Sequence, residues 1–87
     1  MKKVLFDFET RSALDIKKVG MHRYFDTPQS DLVCMAYKID GKKLAFWIPG
    51  QLPPFDPTQY LCYAFNIQFD WNAWNILGVE KHDFKPM

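Results

Sequence analysis

No apolar run in this sequence approaches the ~18–20 residues needed to span a bilayer, so no membrane helix is expected. The start, Met1-Lys2-Lys3-Val4-Leu5-Phe6, resembles the head of a signal peptide only briefly. Asp7 and Glu9 interrupt the apolar run, and a signal peptide is not expected. Cysteine is scarce. Cys34 and Cys62 are the two present, each inside an apolar stretch, which excludes a disulfide framework and suits small core residues in a reducing, cytoplasmic setting. A zinc site built on them would need histidine ligands, and His22 and His82 lack ligand-like spacing to either. Net charge is nearly absent too. At +1 there is no global attraction to polyanions, so such a partner would have to be held by local basic groups or bound ions. Repeats and low-complexity segments are missing.

Apolar and aromatic residues are abundant, at 48% and 17% of the 87 residues, as in a chain that folds. The length suits one small domain spanning 1–87, burying about 60–65% of its unfolded surface.

Residues 2–9 read as a strand. Period-2 alternation puts Val4, Phe6 and Phe8 on one face and Leu5, Asp7 and Glu9 on the other. Two carboxylates on one face of an apolar strand need compensation by a cation or hydrogen bonds, unless they sit at a solvent-exposed end. Residues 10–30 follow as a mixed loop. Leu14, Ile16 and Val19 suit a short helical turn ended by Gly20, and Thr27-Pro28 suits a turn. Arg11, Lys17, Lys18, His22 and Arg23 make this the most basic stretch, either a solvated loop or a surface that touches phosphates.

Asp31–Ile39 reads as a strand, Asp40-Gly41 as a hairpin turn and Lys43–Ile48 as the return strand. Pro49, Gly50, Pro53 and Pro54 then prevent regular structure. Asp56 suits the cap of a single turn with Pro57 at its first position. Leu61–Phe65 is apolar throughout, which predicts a central, parallel strand buried on both faces. Asn66 predicts a helix cap, 67–77 a helix, and Gly78 its end. Phe69, Ala73, Ile76 and Leu77 form one apolar stripe, Trp71 and Trp74 point elsewhere, and the residues after Gly78 offer little cover for them.

Asn66 and Asp70 share a face of the helix start, where the helix dipole favours an ionised carboxylate. Asp70 serves there either as a dipole-stabilising acid or as a ligand for a hard divalent cation. Taken with Asp7 and Glu9, it makes a third acid directed to one sheet edge. Three such acids can hold two divalent ions about 3.5–4 Å apart, the arrangement that hydrolyses phosphodiesters.

At these residues the chain resembles a family. Phe6-Asp7-Phe8-Glu9-Thr10 resembles the first motif of the DnaQ-like (DEDD) 3′–5′ exonucleases, and Ala64-Phe65-Asn66 through Phe69-Asp70 and Trp74 resembles the second. The chain is most similar to proofreading exonuclease domains of bacteriophage-type family A DNA polymerases. The resemblance implies an α/β fold with a ribonuclease-H-like mixed sheet. About four strands are expected, an antiparallel hairpin plus one parallel strand, with one main helix after the fourth.

It implies a DNA-directed metal-dependent hydrolase using Mg²⁺ or Mn²⁺. Asp7, Glu9 and Asp70 would be the catalytic metal ligands, and Thr10, Asn66 and, from the basic loop, Arg11 the substrate contacts. The partners implied are the 3′ end of single-stranded DNA and a polymerase. The family's third motif, a fourth acid with its Tyr or His, has no counterpart before Met87, and His82-Asp83 lacks its spacing. The domain is therefore expected to be partial, and inactive alone or completed by a partner chain or by self-association. A non-catalytic nucleic-acid-binding or interaction module of the same fold is the alternative, and an unrelated α+β domain with incidental acids is a third.

Overall fold

The computed structural model describes all 87 residues. The chain runs β1 (Lys3–Arg11), α1 (Ile16–Val19), α2 (Met21–Phe25), β2 (Asp31–Ile39), β3 (Ala45–Trp47), a 3₁₀ turn (Pro57–Gln59), β4 (Leu61–Ala64) and a final helix. That helix begins as α3 (Ile67–Asn72), widens to a π-helical stretch over Ala73–Gly78 and ends as α4 (Val79–His82). The sheet order is β3-β2-β1-β4. β1 is antiparallel to β2 and parallel to β4, and β2 is antiparallel to β3. This is a small mixed α/β domain with a four-stranded mixed sheet and a C-terminal helix.

β1 forms because its alternation separates a buried face from an open one. Val4, Phe6 and Phe8 are buried, and Leu5, Asp7 and Glu9 are exposed. Across the buried face lies the final helix. Trp74 is its centrepiece, against Phe6 (5.8 Å between ring centroids), Phe55 (4.9 Å) and Phe84 (4.5 Å). Ala73 and Leu77 complete that contact, and Tyr24 and Phe25 of α2 close one side. The opposite face of the sheet carries no layer.

Several local signals act as expected. Asn66 Oδ1 caps α3 by accepting from the Phe69 amide, and Asp56 caps the 3₁₀ turn that starts at Pro57. Gly41 takes φ +78° in the β2–β3 turn, a conformation that disfavours a side chain.

Other expectations need correction. β4 is an edge strand rather than a central one, with Leu61 and Tyr63 half exposed on the open face and Phe65 outside it. Its apolar run is not doubly covered. β3 is three residues long, so half of the expected return strand is irregular. Gly78 does not end the helix. It holds helical φ, and the helix stops at Asp83, whose φ of +64° is left-handed. Gly78 is there because the Phe84 ring lies against it: an added Cβ would come within 2.4 Å of Phe84 Cδ2. The residues after it do cover Trp74, since Phe84 stacks on its ring and Trp74 Nε1 donates to the Lys85 carbonyl at 2.6 Å. Trp74 belongs to the core, and Trp71 remains largely exposed. The cysteines are only partly buried. Cys34 stands on the open face beside Glu9, and Cys62 packs at the margin of the core.

Candidate metal centre

β4 pairs with β1 only as far as Ala64, opposite Phe6. Beyond that point the chain leaves the sheet through Phe65 and Asn66 and turns into α3, leaving the next stretch of β1 without a strand on that side. Asp70, in the first turn of α3, fills the gap. Its Oδ1 accepts a hydrogen bond from the Phe8 amide at 3.0 Å, in place of a continued ladder. The helix is thereby tied to the strand between Asp7 and Glu9.

The Asp70 carboxyl group is fully buried, and its other oxygen, Oδ2, has no hydrogen-bond partner. Burial pushes its pKa above the ordinary carboxylate range. The Phe8 amide opposes that shift, and the negative charge of Asp7 adds to it. Asp7 is exposed on the open face, directly across from Ala36 of β2. A buried carboxyl oxygen without a donor, beside the charge of a second carboxylate, has the chemistry of an oxygen ligand for a hard divalent cation.

Glu9 stands two residues further along the same face. A register shift between Glu9 and Thr10 leaves Val33 of β2 as an extra, unpaired residue, and Glu9 Oε2 accepts from Cys34 Sγ at 3.6 Å. Burial, followed by this contact, raises the Cys34 pKa. No group of three or more His, Cys, Asp and Glu side chains is gathered closely enough to hold a metal ion. Of the three expected ligands, Asp7 and Asp70 sense one another, and Glu9 is turned to its neighbour on β2.

The expected substrate contacts lie around this pair. Thr10 Oγ1 is 2.8 Å from the Tyr24 hydroxyl, which anchors the end of β1 to α2. The Asn66 side chain is engaged in capping α3. Arg11 is exposed at the end of β1, in register with Asp31. No known family profile, curated protein or solved structure matches the chain.

Two features carry no local sequence signal. His82 Nε2 lies 2.7 Å from Asp31 Oδ1 and packs edge-on to Trp47 at 5.1 Å, joining the end of the helix to the start of β2. The His82 contact and the Leu32 amide lower the Asp31 pKa, outweighing burial, which comes first in size and raises it. Beside this pair, Lys81 donates to the Ser30 carbonyl. Partners 51 residues apart become neighbours only through the fold.

Proposed function

We propose that the chain is an exonuclease-type domain of ribonuclease-H-like architecture, directed at the 3′ end of single-stranded DNA. The observation that carries the reading is the Asp70 carboxyl group, which crosses from the helix after the parallel strand to the β1 backbone beside Asp7 and keeps one oxygen free. The antiparallel β2–β3 pair and the parallel β4 beside β1 agree with the expected set of strands. Asp7 and Asp70 would hold Mg²⁺ or Mn²⁺, with Glu9 joining once it leaves Cys34.

Divalent ions, when bound, supply an activated water and stabilise the departing oxygen. The protein's own work is positional. The Phe8 amide fixes the Asp70 carboxylate, Tyr24 fixes Thr10 at the mouth of the site, and Arg11 stands where a phosphate would approach.

The test is release of mononucleotides from the 3′ end of a labelled single strand with Mn²⁺, measured alongside oligomeric state. Activity that disappears with chelator, in Asp7→Asn and in Asp70→Asn supports the reading. No release at any concentration, together with no Mn²⁺ binding, overturns it. The turn of Glu9 toward Cys34, and the lack of three converged ligands, favour a second reading: a nucleic-acid-binding module of the same fold without chemistry. Its outcome is single-strand binding without release, with or without metal.

A further inference from the structure

The net charge of +1 conceals a strong segregation. Five of the eleven Lys and Arg residues lie at one end of the sheet: Lys2 and Lys3 where β1 begins, Lys38 where β2 ends, and Lys42 and Lys43 in the turn that follows. On the open face at this end is a concavity of about 400 Å³ lined by Lys3, Leu5, Lys38, Asp40 and Tyr63. The register explains it, because Leu5 stands between Lys38 on one side and Tyr63 on the other. Tyr63 is 48% exposed and Leu5 41%, unusually open for large side chains on a sheet. Lys3 Nζ lies 5.8 Å from the centre of the Tyr63 ring. Asp40, the acid in the group, is engaged through Oδ2 by the Lys3 amide at 3.1 Å.

We infer that this end of the open face binds single-stranded nucleic acid, with a base stacked on Tyr63 and phosphates on Lys3 and Lys38. An accessible aromatic ring beside separated ammonium groups offers what a single strand presents, a flat base and a regularly spaced anion. Charge complementarity selects this occupant. An apolar protein partner would have to desolvate the lysines, and a duplex keeps its bases stacked and cannot use the ring. Lys3 and Asp7 share the open face about 13 Å apart along β1, four residues at strand rise. A strand bound at Tyr63 is thereby led toward Asp7 and Glu9. The inference rests on the proposed nucleic-acid function and adds a binding surface at the start of β1, on the same face as the acids.

The experiment is fluorescence-anisotropy titration of the full chain with labelled oligo(dT) in EDTA, across a salt series, so that no metal chemistry takes part. Lys3→Gln and Lys38→Gln should each weaken binding and lower the slope of log K against log salt by about one. Tyr63→Ala should weaken binding about tenfold, while Tyr63→Phe, which keeps the ring, should bind as the parent does. Circular dichroism checks that each variant is folded, and Lys85→Gln, in the C-terminal tail beside Asp56, should leave binding unchanged. Parent-like binding by Tyr63→Ala and both lysine variants overturns this surface and leaves the exonuclease reading standing. Equal affinity for a duplex of the same length, or no binding by the parent, also overturns it. Loss of Mn²⁺-dependent cleavage with binding intact would instead count against the exonuclease reading alone.

Discussion

At the scale of single residues, Asp70 decides most. Its raised pKa means that the folded chain holds a proton there over a pH range in which the unfolded chain has released it. Stability from this group therefore increases as pH falls through the raised value, and the gain is complete below the ordinary value of 3.8. Asp70→Asn keeps an acceptor for the Phe8 amide and removes the titration. The melting temperature of the parent should accordingly gain on that of the variant between pH 7 and pH 4, whatever their offset at neutrality. A parallel pair of curves would contradict the shift.

Asp56 shows the opposite sign. Hydrogen bonds from Thr58, and then Lys85, hold its pKa down to about 2, so its contribution is present at neutral pH and is lost as pH falls from about 4 toward 2. Asp56→Ala should lower the melting temperature at pH 7 and bring the two proteins together near pH 2. Asp7, Glu9 and Asp70 were legible in the sequence as acids on the correct elements. The bond from the Phe8 amide to Asp70 was not, since it depends on β4 stopping two residues short of Phe8.

Among the elements, the final helix taught the most. Its cap at Asn66 was legible, because a side chain that satisfies an amide three residues on is a local matter. Its end was not. A glycine after an apolar run ordinarily marks a C-terminus, but Gly78 answers a tertiary demand, the ring of Phe84. Gly78→Ala would raise helix propensity in an isolated peptide. In the folded chain it should destabilise by about 1–3 kcal/mol through overpacking against Phe84. Urea unfolding would show this, and Phe84→Ala in the same background should remove most of the difference. Trp74 was misplaced for a related reason. The π-helical stretch and the returning tail both direct it inward, and neither follows from 3.6-residue spacing. In β4, the apolar run was read as burial on two faces, whereas its side chains divide between a core and a bare surface.

For the whole molecule, the one-sided sheet governs both stability and access. β1, like β2, is paired on both sides, and its Val4 and Phe6 are almost fully buried. The amides of its paired residues should exchange most slowly with deuterium, and those of β3 and β4 much faster, approaching local opening. Slow exchange at β3 in dilute solution would indicate a cover over the open face. The antiparallel pairing of β2 with β3 and the parallel β4 were foreseeable from the sequence pattern, and the edge position of β4 was not. The gathering of lysines was not, because Lys3 and Lys38 meet through antiparallel register, 35 positions apart.

The placement of the three tryptophans has an optical consequence. Trp47 and Trp74 are enclosed, while Trp71 is half exposed in the residue after Asp70. Two indoles therefore report on the integrity of the core, and the third emits from a wet surface at the edge of the acidic pair. A soluble quencher will reach Trp71 first. The native chain thus carries its own fluorescent reporter of access to the start of the final helix.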